Sequence, residues 1–235
     1  LELLQGRLVA RGLDYEVLEA PELVDAEMPC ADDSGTFALR MTDRNALLVR
    51  SDSGLTVGQH RSESFHSFAK VPIGDKFVGF VRGYSEAEFV KDGRSFTVLT
   101  THLETDSPAA LQPSQVAQGR ELVARVQSSA GDLIALGDFN SNADGSGTET
   151  YSLLRNELRD AWLDAGEAEQ AYTCCQAPAL DNAVSTASAR IDLVLTRGEL
   201  VGREGRLLGA DASPDAPRWG SDHQGVRLVI QLPKP

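Results

Sequence analysis

The chain has 235 residues, 41% hydrophobic and 24% charged, which is enough to bury one large core. Lys and Arg number 22 against 35 Asp and Glu, a formal net charge of -13, and no two basic residues are adjacent. This excludes a polybasic tail, a nuclear-import cluster and a basic arm that holds nucleic acid through counterion release. It leaves nucleic acid open as a substrate, because a bound cation reverses the local field. No apolar run reaches the length of a membrane span, and there is no signal-peptide pattern.

In chain order, Leu1, Leu4 and Leu8 share one helical face, which Gly12 ends. No capping residue precedes them, so the sequence is expected to start inside or just after the start of a helix, with further residues upstream. Residues 15–18 predict a short strand, 21–35 an acidic loop, and 45–50 and 76–82 two more strands. Residues 95–101 follow the Asp92-Gly93 turn signal and are expected to pair antiparallel with 76–82. Residues 114–126 predict a helix capped by Ser114, with Val116, Leu122, Val123 and Val126 on its apolar face. A buried strand over 132–136, a helix over 149–158 and strands over 190–196 and 225–231 complete the pattern. With no repeat, low-complexity tract or linker, a single α+β domain of layered sheets over residues 1–235 is expected.

The cysteines are Cys30, Cys174 and Cys175. In a reducing compartment they act as small buried hydrophobes. In an oxidising one, either Cys30 pairs with one of the neighbours or the neighbours bridge each other, and metal binding by the pair is the least favoured option.

Four segments set polar residues directly after apolar strand runs: Thr101-His102-Leu103-Glu104, Gly137-Asp138-Phe139-Asn140-Ser141, Arg190-Ile191-Asp192-Leu193 and Ser221-Asp222-His223-Gln224. Taken singly each is weak, since one His or Asp after a strand is more often structural than catalytic. The second is stronger, because alternation points Asp138 and Asn140 one way while Phe139 anchors the other face. Together the four supply carboxylates, an amide and two imidazoles with no nucleophilic Ser or Cys elbow. That inventory suits a hard, oxygen-ligated cation, Mg²⁺ or Mn²⁺ with Ca²⁺ as a further option, and a phosphate ester attacked by water.

In order and wording these segments resemble the endonuclease/exonuclease/phosphatase superfamily, over most of the chain. The resemblance implies a four-layered α/β sandwich of two packed mixed sheets flanked by helices, with the site at the top of the sheets. It implies Asp222 as a metal ligand, His223 on the scissile phosphate with Asp192 holding its other nitrogen, and His102 as a donor to phosphate oxygen or the leaving group. Asp138 is implied to orient or deprotonate water, and Asn140 to bind phosphate oxygen or join Asp138 and Asp222 around the metal. The family's Glu metal ligand and its first strands are not found in the sequence and are expected upstream of Leu1. A finer resemblance, to bacterial proteins that are often exported, is compatible with a secreted or periplasmic location.

Arg82, in Val81-Arg82-Gly83-Tyr84, and Trp219 are candidate substrate contacts, each equally able to satisfy a strand end or pack in a core. His60, His66 and Glu63 read as loop residues, one of which could support His102. The expected function is metal-dependent hydrolysis of a phosphodiester or phosphomonoester, a nuclease being one form. The competing reading is a non-catalytic binding or scaffold module on the same fold. Nucleic acid, phospholipid head group and small phosphate ester all remain open as substrates, with no stable nucleic-acid binding and a monomer expected.

Overall fold

The computed structural model describes residues 1–73, 76–168, 170–215 and 217–233. In chain order it builds helix α1 (Glu2–Val9) and strands β1 (Tyr15–Glu19), β2 (Glu22–Asp32), β3 (Gly35–Arg44), β4 (Leu47–Arg50) and β5 (Thr56–Ser64). Strands β6 (Ala69–Ile73), β7 (Lys76–Phe80), β8 (Gly83–Lys91) and β9 (Arg94–His102) follow, then helix α2 (Gln112–Ser128) and strand β10 (Asp132–Asp138). Helix α3 (Thr150–Arg155), strand β11 (Arg159–Asp160), helix α4 (Ala161–Asp164) and strands β12 (Asp192–Arg197), β13 (Val201–Leu208) and β14 (Gly225–Gln231) complete it.

A six-stranded mixed sheet in the order β11-β12-β10-β9-β8-β5 is the frame. Strands β9 and β10 run parallel, as their connection through α2 allows, and the other neighbours are antiparallel. Period-two alternation sorts the apolar side chains between two cores. Leu99, Leu133, Ala135, Leu193 and Leu195 pack with Leu122, Val126 and Leu154 of α2 and α3. Phe89, Phe96 and Ile134 pack on the other face with Leu18, Leu47, Val49 and Leu200. The fold is the expected α+β sandwich, with its second layer made of two separate ladders, β1 with β4 and β13 with β14. Among the described residues no helix is long and apolar enough to cross a membrane.

Three local expectations are corrected. The predicted loop over 21–35 lies largely in a hairpin of β2 and β3, whose alternation is hidden by acidic residues on the exposed face while Leu23, Val24 and Ala26 are buried. The Asp92-Gly93 turn exists, but it joins β9 to β8, and residues 76–80 pair with β6 instead. Strand β8 was missed because it buries Ser85 and Glu86. The first meets the Ser62 hydroxyl and the second the guanidinium groups of Arg61 and Arg125, so burial costs little. Helix α2 begins at Gln112 with Pro113 in its first turn and no side-chain cap, so Ser114 does not serve as one.

Candidate active site

Strand register assembles the first half of the site. His102 ends β9 opposite Asp138, and Asp138 ends β10 opposite Asp192, the first residue of β12. Gly137 lets these strands close up: its φ is +137°, and a Cβ there would meet the Thr101 carbonyl oxygen at 1.9 Å. Phe139 is fully buried in the helix-side core, and the next residue, Asn140, turns back with φ +45°. Its backbone N–H donates to Asp138 Oδ1 at 2.8 Å and its side-chain Nδ2 to the Leu103 carbonyl at 2.8 Å, leaving the amide oxygen for a ligand. Gln115, buried on α2, donates to the Phe139 carbonyl and so fixes this hook from below.

The second half arrives from the C-terminal loops. His223 Nδ1 lies 2.8 Å from Asp192 Oδ2, so it donates there and leaves Nε2 for the reacting group. That hydrogen bond and the surrounding carboxylates of Asp192, Asp138 and Asp222 outweigh burial and raise the imidazole pKa to about 9. Asp192 is held in turn by Thr173, whose Oγ1 accepts from the backbone N–H groups of Ile191 and Asp192 at 3.1 Å.

His102 has the opposite surroundings. Arg82 Nη1 lies 3.4 Å from His102 Nδ1, and a guanidinium only donates, so Nδ1 is the acceptor and the proton sits on Nε2. Burial first and the Arg82 cation second push the imidazole pKa down to about 4, so His102 is neutral. Its Nε2 is 3.6 Å from Asp138 Oδ2, a gap beyond direct hydrogen bonding.

One carboxylate oxygen each from Asp138 and Asp192 and a ring nitrogen of His223 all lie within 4.8 Å of one another. Burial, then the Asp192 charge, lift Asp138 to about 7. Asp138 and Asp192 bring two hard carboxylate oxygens to this space, and the His223 imidazolium balances part of their charge. Asp222 lies exposed at the rim, with Ser221 Oγ 3.4 Å from its Oδ1, outside that close cluster.

Other expected residues have different positions. Arg82 is buried, with Nη1 2.6 Å from Asp43 and Nη2 3.2 Å from Glu104, so both terminal nitrogens are ion-paired. Trp219 is buried and its Nε1 donates to the Asn182 carbonyl. His60 sits on edge strand β5 against Glu19, His66 meets Glu121, and Glu63 accepts from the Tyr84 hydroxyl, so none of the three supports His102. Cys174 is joined to Cys175 and Cys30 is free. Asp43, Glu104 and Thr173 were missed as supporting residues. Glu104 lies inside a quoted motif, but the partners of Asp43 and Thr173 are far away in sequence.

Two imidazoles and two carboxylates thus gather at the strand ends of a mixed sandwich. The chain matches the model of the Endonuclease/Exonuclease/phosphatase family over residues 35–223 and belongs to that family. Its enzymes hydrolyse phosphoester bonds and use divalent metals. No curated protein matches the chain significantly. Among solved structures, a humanized D. rerio TDP2 carrying 14 mutations is 17% identical with a TM-score of 0.62, covering 98% of this chain and 91% of that one. A Bacteroides thetaiotaomicron endonuclease/exonuclease/phosphatase family protein is 18% identical with a TM-score of 0.60, covering 97% and 77%. The mannosyl-6-phosphatase Bt3783 of the same organism is 14% identical with a TM-score of 0.57, covering 98% and 90%.

Proposed function

We propose that the protein hydrolyses a phosphomonoester or phosphodiester by in-line attack of water, using Mg²⁺ or Mn²⁺, with Ca²⁺ as a possible substitute. The carrying observation is the convergence of Asp138, Asp192 and His223 within 4.8 Å, with His102 Nε2 on the far side of Asp138 at 3.6 Å. Cationic His223 donates from Nε2 to a phosphate oxygen while its Nδ1–H donates to Asp192. Neutral His102 donates from Nε2 to a second phosphate oxygen or to the leaving group. Asp138 orients the attacking water and accepts its proton, while His223, protonated on both ring nitrogens, supports the pair as a donor. Asp138, Asn140 and Asp222 are the residues that would hold the metal, since Asp192 is engaged with His223. When bound, the ion would neutralise charge on phosphate and lower the pKa of water.

The similarity to a mannosyl-6-phosphatase supports a small phosphate ester as substrate, and the similarity to D. rerio TDP2 complexed with a single-strand DNA product keeps nucleic acid as the alternative. The scaffold reading has no comparable support, because a site without chemistry gives no physical reason to hold two carboxylates and two imidazoles together. The test is hydrolysis of p-nitrophenyl phosphate and bis-p-nitrophenyl phosphate with Mg²⁺ or Mn²⁺. Turnover is expected, and a rate equal to that of an Asp138→Ala, His223→Ala double variant on both esters would sink the reading.

A further inference from the structure

A cavity of about 500 Å³ opens beside the site, between the loop after β9, the loop after β10 and the segment carrying Cys175. Small-ligand sites usually measure about 300–1,000 Å³. Two of its walls tie it to the reacting groups: Asn140, and Cys175, whose Sγ is 3.9 Å from His223 Nε2. A substrate whose phosphate meets His223 and Asn140 therefore has this cavity as the adjoining space for its alcohol portion.

The chemistry of the lining is selective. Thr105, Ser107, Ser146, Thr186 and Ser188 contribute hydroxyl groups, and Asp106 contributes the one charged group among the described lining residues. No Lys, Arg or aromatic ring is among them. A nucleic-acid strand requires the reverse, cations for its backbone and aromatic faces for its bases. Asp106 would also repel a neighbouring phosphate.

Several of these groups have unused hydrogen-bonding capacity. The Asp106 carboxylate and the Ser188 hydroxyl have no hydrogen-bond partner among the described residues. Thr186 Oγ1 donates to the Cys175 carbonyl at 2.9 Å and keeps its lone pairs, while Ser146 Oγ accepts from Asn142 Nδ2 at 3.1 Å and keeps its proton. The lining thus supplies both acceptors and donors, which matches groups that both donate and accept. The position of Asp106 depends on Gly147: φ there is +78°, and a Cβ would lie 2.7 Å from Asp106 Oδ2.

We propose that this cavity seats the alcohol portion of the substrate and that this portion is a polyhydroxylated ring, a sugar or a cyclitol. Asp106 accepts hydrogen bonds from ring hydroxyls and is the main determinant of specificity. The proposal rests on the phosphoesterase reading, and the experiment separates the two. Steady-state kinetics with Mg²⁺ would compare a hexose 6-phosphate and myo-inositol 1-phosphate with cyclohexyl phosphate, a ring without hydroxyls, and with a dinucleotide. At least one polyol ester is expected to exceed cyclohexyl phosphate in kcat/KM by on the order of tenfold or more. Asp106→Asn should remove most of that preference through KM, with a smaller change on cyclohexyl phosphate and p-nitrophenyl phosphate. Turnover of p-nitrophenyl phosphate without any polyol preference overturns the cavity assignment and leaves the phosphoesterase standing. So does preferred turnover of the dinucleotide, or an equal loss on every ester in the Asp106→Asn variant. No turnover of any ester overturns both.

Discussion

The two sides of the site hold the same side chain in opposite states. His223 and His102 have comparably exposed side chains, 28% and 35%, yet one is raised to about 9 and the other lowered to about 4. The difference lies in the neighbour. Asp192 accepts from His223 and stabilises its charge, whereas Arg82 donates to His102 and repels a charge there. Burial lowers both pKa values and is the larger cause at His102, where Arg82 adds to it, whereas at His223 the Asp192 hydrogen bond outweighs burial and reverses the sign. The site therefore holds one cationic and one neutral imidazole side by side, a difference that two free histidines would not provide.

Removing one partner at a time breaks this contrast. Asp192→Asn has the largest expected effect: kcat/KM falls on the order of a thousandfold, about 4 kcal/mol of transition-state stabilisation. The His223 pKa returns from about 9 toward its ordinary 6.5, followed by NMR titration of the metal-free protein. A variant with full activity, or with His223 still titrating near 9, would remove Asp192 from its role. Arg82→Met acts on the other side. It leaves Glu104 and Asp43 without their cation, so stability in urea should fall by about 3 kcal/mol, and the His102 pKa should rise above 4. If stability falls and His102 does not move, Arg82 is structural only. Thr173→Val is a smaller perturbation, because it removes the acceptor for the Ile191 and Asp192 N–H groups. A loss of about 2 kcal/mol in stability is expected, with a kcat decrease below that of Asp192→Asn.

The two sides were also unequally legible in the sequence. His102, Asp138, Asp192 and His223 each follow or begin an apolar strand run, and strand ends are local features that composition reveals. The pairing of Asp192 with His223 came from family resemblance, and the geometry places those atoms 2.8 Å apart. The Arg82 side was read less well. Its carboxylates lie 39 residues before Arg82 and 22 after it, and β8, the strand Arg82 leads into, looked too polar to be buried. A buried Arg balanced by two carboxylates leaves the same sequence pattern as an exposed Arg available to phosphate. The sheet order that brings Asp43 beside Arg82 cannot be read from either segment alone. The sandwich itself was legible because alternation sorts Leu133, Ile134 and Ala135 onto alternate faces, while the β2 and β3 hairpin was not, since its acidic face resembles a loop.

The smallest expected effect is also the one that contrasts the histidines by sign. For His223 the folded pKa of about 9 lies above the ordinary 6.5, so its contribution to stability is complete below 6.5 and is lost as pH rises through 9. For His102 the folded value of about 4 lies below 6.5, so its contribution is complete above 6.5 and is lost as pH falls through 4. Asp138, raised from 3.8 to about 7, loses stability with rising pH over much of the acid window and would mask His102, so the comparison belongs in an Asp138→Asn background without metal. There, His223→Gln should flatten the alkaline decline and His102→Gln the acid decline, each by about 1 kcal/mol once solvent exposure is allowed for. Urea denaturation at intervals from pH 4 to pH 9 measures both. If both substitutions flatten the same limb, the two imidazoles share one charge state and the opposing roles of Asp192 and Arg82 are lost.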